Sequence, residues 1–148
     1  SAAITAAETG HLVLSTIHTI NTIQTIDRII DTYPSHQQNQ VRAQLSNVLK
    51  GVIAQRLCRR SDMEGRIPAT EVFIGTSLVR KLISENKIQD LYKATGQGEF
   101  YGMHTFDQDL IRLHKEKKIS EKEAIDKAQN PEDMMLRMKG MFMDEGTQ

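Results

Sequence analysis

Histidine is the residue type in this sequence best suited to proton chemistry near neutral pH, and the chain has five, His11, His18, His36, His104 and His114. His11 begins HLVLSTI, a short apolar run that predicts a buried strand over residues 11–17, and His18 follows it directly. On a straight strand their odd spacing places the two rings on opposite faces, which argues against a shared metal site. Because ligands bind beyond the carboxyl ends of strands in open α/β sheets, His18 is a candidate functional residue, and His11, at the start of the strand, is a weaker one. The other three histidines are expected at the surface.

Several other kinds of site are excluded by residue types. The glycine-containing loop over residues 96–102 lacks the lysine and the Ser/Thr of a phosphate-binding loop. Cys58 is the single cysteine, so it forms no intrachain disulfide, and its apolar neighbours predict a buried, inert thiol. With 19 basic and 19 acidic residues the formal net charge is zero, which gives no sign of a nucleic-acid partner. No apolar run approaches the roughly 20 residues of a transmembrane helix.

Apolar spacing and capping residues predict the elements around the histidines. Residues 1–8 have the pattern of the end of a helix, which Gly10 terminates. A second helix has isoleucines at three- and four-residue intervals and ends at Pro34. A third helix begins at Ser35, which forms a predicted capping box with Gln38.

A hairpin follows, with strands predicted at 55–60 and 66–74 around a turn of Asp, Met, Glu and Gly at 62–65. Together with the strand at 11–17 it makes about three strands before a soft boundary at residue 75. The sequence therefore predicts two parts, an α/β portion at 1–75 and a helical portion at 76–148.

Capping motifs also predict the helices of the second portion. Thr105 with Gln108, and Ser120 with Glu123, have capping-box spacing. The last helix opens at Pro131, and its apolar face is formed by Met134, Met138, Met141 and Phe142. This methionine-rich face is expected to be core packing, with an adaptable partner-binding surface as the alternative.

Three segments resemble one protein family. The run AAETGHLVLSTIHT, followed by TIDRIIDTYP at 25–34, resembles the His box region of the type IV pilus retraction ATPases, within the type II/type IV secretion ATPase superfamily. The residues that match are Thr9, Gly10, His11, Thr16 and His18. SLVRKLISE is similar to the AIRxLIRE motif of the retraction subfamily. GMHTFDQDL at 102–110 is similar to the GMQTFDQ-type segment, which lies further downstream in the family. In the second motif the matching residues are Val79, Arg80, Leu82, Ile83 and Glu85.

The resemblance implies a fold class, an activity and partners. The fold would be α/β, with part of a RecA-like ATPase core followed by a helical C-terminal bundle. The activity would be ATP hydrolysis with Mg²⁺ in a homo-hexameric ring, coupled to pilus retraction and twitching motility. The ring would lie in the cytoplasm at the inner face of the bacterial inner membrane, peripheral to it and in contact with a platform protein.

The resemblance also implies residue roles. His18 would lie closest to the reacting phosphate as a catalytic residue, with His11 and Thr16 assigned to the same site. Thr9 and Gly10 would lie near the nucleotide. The motif that contains Arg80 would serve the retraction movement rather than ATP turnover, and no residue is assigned to a resident metal.

The chain departs from the family pattern in one respect that bears on activity. It contains neither the Walker A loop nor the Walker B carboxylates, which lie upstream in the family. We therefore expect this chain alone to hydrolyse no ATP.

Its single cysteine cannot form the four-cysteine zinc motif of pilus assembly and type II secretion ATPases, which favours a retraction protein. A retraction-accessory paralogue and a non-catalytic module that binds the platform protein remain alternatives.

Overall fold

The computed structural model describes the backbone of residues 2–144 and the side chains of residues 2–140. Within these limits the chain forms two compact units, the first from 2–54 with 72–103 and the second from 55–71 with 104–144. Each unit takes part of both strands of the hairpin, so neither follows the boundary predicted at residue 75. The assignment of 1–75 to an ATPase core and 76–148 to a C-terminal region stays a prediction.

Within residues 2–144 there are eight α-helices and one two-stranded sheet. The elements are α1 (Ala2–Glu8), α2 (Thr22–Asp31), α3 (Ser35–Val48), β1 (Gly51–Arg59), β2 (Arg66–Ile74), α4 (Ser77–Ser84), α5 (Leu91–Gly96), α6 (Phe106–Lys115), α7 (Glu121–Lys127) and α8 (Pro131–Asp144). Short 3-10 turns occur at Ile88–Asp90 and Glu99–Tyr101. The predicted hairpin is present, although β1 begins at Gly51 and not at residue 55.

The first unit is held by the apolar faces of its helices. The isoleucines of α2 follow the predicted helical spacing, and Ile26 and Ile30 are 0% and 1% exposed. They join a core cluster that also contains Leu45 of α3, Phe73 of β2 and residues of α4 and α5. Burial of apolar side chains is the main favourable contribution to folding, so this cluster fixes α2 against the rest of the unit.

The strand predicted at residues 11–17 does not form. The segment has no regular secondary structure, and Leu12 and Leu14 are 79% and 86% exposed. A strand is stabilised by hydrogen bonds to a neighbouring strand, and the sheet within residues 2–144 contains β1 and β2 alone. The prediction of a buried strand, and of about three strands in this portion, is therefore wrong for the chain as it stands.

Two predicted helix caps illustrate opposite outcomes. The capping box of α6 is confirmed, because the Thr105 hydroxyl accepts from the Gln108 amide at 3.3 Å and the Gln108 carboxamide accepts from the Thr105 amide at 2.9 Å. The box predicted at Ser35 is wrong. Gln38 instead donates through Nε2 to the Tyr33 carbonyl oxygen at 3.2 Å, and the helix is entered from Pro34 without a side-chain cap.

The second unit contains α6, α7 and α8. Helix α7 packs against both α6 and α8, and its Ala124 is fully buried. The buried face of α8 includes Met134 and Met138, both 0% exposed, as the core-packing interpretation predicts. Met141 and Phe142, which were predicted on the same face, have side chains outside the described residues.

Cys58 of β1 is expected to resist thiol reagents until the chain unfolds. It is fully buried, and its pKa is raised mainly by burial and also by Glu123, with Lys127 opposing the shift. Because the folded pKa lies above the unfolded value, the neutral thiol adds stability below the unfolded pKa, which is lost as pH rises through the folded pKa. We expect labelling of native protein at pH 8 to be much slower than labelling in urea. Equal rates in the two conditions would contradict the buried position.

Candidate functional site

The tight turn after α1 brings together Thr9, Gly10 and His11. Gly10 adopts φ +96°, a conformation that favours glycine, and so ends the helix as predicted. The Thr9 hydroxyl donates to the Ala6 carbonyl oxygen at 2.9 Å, and His11 Nδ1 lies 3.1 Å from Thr9 Oγ1 and 3.2 Å from Ala6 O. A carbonyl oxygen only accepts, so this geometry assigns the proton of the His11 ring to Nδ1.

Residues 16–18 are exposed, and the chain is tied to α2 at His18 and at the partly buried Thr19. Arg28 donates through Nη1 to the carbonyl oxygen of His18 at 2.8 Å. The hydroxyl oxygens of Thr19 and Thr25 lie 2.7 Å apart. Among the described residues, no hydrogen bond or ion pair involves the Thr16 side chain or the His18 ring, and both residues are exposed.

The start of α2 adds two further contacts. Asn21 is its N-cap, and its side chain accepts from the Gln24 amide at 2.8 Å. The Gln24 carboxamide in turn accepts from the Ile20 amide at 2.9 Å. Since the Thr25 hydroxyl donates to the Asn21 carbonyl oxygen at 2.9 Å, the Thr19 hydroxyl is the donor in its contact with Thr25.

The motif that resembles the retraction sequence lies on α4 and mostly forms core. Val79, Leu82 and Ile83 are 0%, 9% and 0% exposed and belong to the core cluster of the first unit. These three residues therefore fix α4 in place. The Thr76 hydroxyl caps the helix by accepting from the Val79 amide at 3.3 Å.

Two charged residues of this motif match the family, Arg80 and Glu85, and their contacts lie at the ends of α4. Arg80 donates through Nε to the carbonyl oxygen of Gly75 at 2.8 Å, which fixes the turn between β2 and α4. Glu85 follows the last residue of the helix and pairs with Lys87 at 2.7 Å and with Lys81 at 3.9 Å. The hydrogen bond from Lys87 lowers the pKa of the Glu85 carboxyl.

The second unit contains buried carboxylates that the sequence did not single out. Asp109 accepts from the Thr70 amide through Oδ2 at 2.8 Å, and Glu71 accepts from the Phe106 amide at 3.5 Å. Asp107 accepts from the Gln129 amide at 3.0 Å. In the sequence these residues resemble surface charges, because nothing local shows that a distant amide needs an acceptor. The structure gives them a role in joining segments that are far apart in sequence.

The described residues offer no metal site. Within residues 2–144 there is no group of three or more His, Cys, Asp or Glu side chains placed to hold a metal ion. None of the helices in that range has both the length and the apolar character needed to cross a membrane. The candidate functional elements in the described part of the chain are those that carry the family resemblance, the His-box residues and α4.

Comparison with known proteins identifies the family. The model for "Type II/IV secretion system protein" matches residues 1–146. This chain belongs to the type II/IV secretion system protein family. It is 42% identical to a twitching motility protein of Neisseria gonorrhoeae, covering 89% of this chain and 35% of the relative. It is 43% identical to the type IV pilus retractation ATPase PilT of Pseudomonas aeruginosa, covering 88% of this chain and 38% of the relative.

Solved structures agree with this family assignment. A crystal structure of the pilus retraction motor PilT with bound ADP matches with a TM-score of 0.79 and 39% identity, over 89% of this chain and 36% of that chain. The ATPase DotB of Legionella pneumophila matches with a TM-score of 0.69 at 22% identity over 82% of this chain and 32% of that chain, which shows the fold alone. The predicted fold class is confirmed by these matches.

The chain spans about a third of the length of the family members that it matches. The comparisons confirm the predicted resemblance to the type IV pilus and secretion ATPases. They do not test the roles predicted for His11, Thr16 and His18, for Thr9 and Gly10, or for the α4 motif, so these assignments stay predictions.

Proposed function

We propose that this chain is the His-box and C-terminal part of a type IV pilus retraction ATPase. In this proposal a homo-hexameric motor hydrolyses ATP and retracts the pilus from the cytoplasmic face of the inner membrane, where it contacts a platform protein. The names of the relatives support the retraction class, and the PilT crystal structure contains ADP. Within the chain, the supporting observation is the difference in contacts between the rings of His11 and His18.

The two histidines differ in what holds them. The ring of His11 is engaged in the turn after α1, through Thr9 and Ala6. The His18 ring has no such contact in the described part of the chain, although its carbonyl oxygen is held by Arg28. A histidine with a fixed backbone and a free ring can approach a terminal phosphate and stabilise charge there, which is a form of catalysis suited to phosphoryl transfer. His18 is therefore the proposed catalytic residue, and His11 supports the turn.

Nucleotide and Mg²⁺ would be held mostly by other parts of the full-length protein. The sequence has no phosphate-binding loop, and the residues of the described range form no metal cluster. Thr9 and Gly10 lie in the turn beside His11, and we propose that they border the nucleotide. We propose that α4 transmits movement, because its core residues fix it rigidly within the first unit.

The test is ATP hydrolysis by the full-length protein that contains this chain, as wild type and as His18→Ala. We expect the variant to lose most of its turnover, by about 100-fold, because removing one charge-stabilising group has effects of this size. His36→Ala is the matched control, since His36 is exposed on α3 and is expected to leave the rate unchanged.

Ring assembly is measured in parallel so that loss of the hexamer is not mistaken for loss of chemistry. The chain of 148 residues alone is expected to be inactive. An inactive full-length wild type would reject the ATPase proposal and favour an interaction module that binds the platform protein.

A further inference from the structure

Three side chains of α2 hold the three consecutive residues 18–20. Arg28 Nη1 donates to the His18 carbonyl oxygen at 2.8 Å, and the other two contacts join Thr19 and Ile20 to the same helix. We refer to the three side chains as the α2 anchor, which consists of Gln24, Thr25 and Arg28. Their spacing places them along one side of the helix, because residues three and four apart are neighbours on its surface.

The helix that carries the anchor is itself fixed. Its apolar face contributes Ile26 and Ile30 to the core cluster of the first unit, and both are essentially inaccessible to solvent. Its N-terminus is capped by Asn21. A contact made from such a helix restrains its target more than one made from a flexible loop, because the helix has already lost its conformational freedom.

The anchor acts at the C-terminal end of the segment 11–17, whose other end is held at His11 by the turn after α1. Residues 11–17 have no regular secondary structure. The side chains of α2 contact the chain just after them, at residues 18–20. The first of these restrained residues is His18. Without Arg28, the His18 carbonyl oxygen would lose its contact, and the restraint would begin one residue later at Thr19.

We propose that Arg28 is a positioning residue for His18, which it fixes through the main-chain carbonyl so that the ring is presented to the reacting phosphate. This inference rests on the proposed function. A charge-assisted hydrogen bond to a carbonyl oxygen is among the stronger hydrogen bonds in proteins.

The experiment compares Arg28→Met and Arg28→Lys with wild type in the full-length protein. For Arg28→Met we expect kcat to fall about tenfold while KM for ATP changes less than about twofold, because a misplaced catalytic group lowers the rate without weakening ground-state binding. Arg28→Lys keeps a charged donor and is expected to recover kcat to within about threefold of wild type. Lys93→Met, which removes an exposed cation on α5, is the matched control.

Hydrogen exchange of a peptide covering residues 18–21 gives a readout that does not depend on turnover. We expect exchange there to rise about fivefold in Arg28→Met, with the peptides of α3 unchanged. If the wild type is active and Arg28→Met keeps its kcat, the inference is overturned and the proposed function stands, whether or not exchange rises. Unchanged exchange would overturn it as well. An inactive wild type would reject the proposed function, and exchange would then still show whether Arg28 holds the segment.

Discussion

Replacing Gly75 with alanine is expected to lower the free energy of unfolding by about 3 kcal/mol, at the upper end of the usual cost of overpacking. A Cβ atom at this position would lie 2.2 Å from the carbonyl oxygen of Leu49 and 3.3 Å from its carbonyl carbon. Both are main-chain atoms, so no side-chain rotation relieves the clash. The turn after β2, which contains Gly75, and the turn after α3, which contains Leu49, would have to move apart.

The surrounding hydrogen bonds restrict that movement. The Gly75 amide donates to the Lys50 carbonyl oxygen at 2.8 Å, and the Gly75 carbonyl oxygen accepts from Arg80 at 2.8 Å. A shift large enough to accommodate a methyl group would weaken one or both bonds. The variant therefore tests the junction that positions α4 as well as the packing at residue 75.

Urea unfolding of the 148-residue chain measures this effect. Gly140→Ala is the matched control, because residue 140 is inside α8 and, apart from its chain neighbours and the backbone of that helix, no described atom lies within 4 Å of its Cβ position. Alanine is expected to stabilise that helix by about 0.5–1 kcal/mol. A Gly75→Ala chain that unfolds at the same urea concentration as wild type would show that the Leu49 carbonyl lies elsewhere.

Local sequence signals predicted the elements whose stability is local. The capping box at Thr105, the terminating Gly10 and the isoleucine spacing of α2 all depend on residues within a few positions of one another. Short-range steric and hydrogen-bonding preferences determine such features, and they can be recognised without knowing the rest of the fold. The same reasoning correctly placed Met134 and Met138 on the buried face of α8.

Features that depend on distant partners could not be predicted in this way. The run at 11–17 has the apolar composition of a buried strand, but composition does not provide the neighbouring strand that it requires. The contact between Arg28 and the His18 carbonyl depends on the path of the chain before α2. A basic residue on the polar side of an amphipathic helix is usually solvated, so the spacing alone gave no reason to select it.

Asp109 was missed for the same reason, and replacing it with asparagine is expected to cost about 2–3 kcal/mol, the upper part of the range for leaving a buried donor unpaired. Its Oδ2 accepts from the Thr70 amide at 2.8 Å, and its Oδ1 accepts from Arg112 Nη2 at 2.7 Å. Both oxygens face donors. An asparagine amide group has one oxygen and one NH₂ group, so either orientation places a donor against a donor.

Glu116→Gln is the matched control because Glu116 pairs with the same guanidinium. It accepts from Arg112 Nη1 at 2.9 Å, but its side chain is 47% exposed, whereas that of Asp109 is 4% exposed. Water can replace the lost interaction at the exposed site, so we expect the control to change stability by less than about 0.5 kcal/mol. The comparison separates burial from charge, since each variant removes one carboxylate from Arg112. Equal unfolding midpoints for the two variants would show that Asp109 acts only as a surface charge, and that its bond to Thr70 does not join β2 to α6.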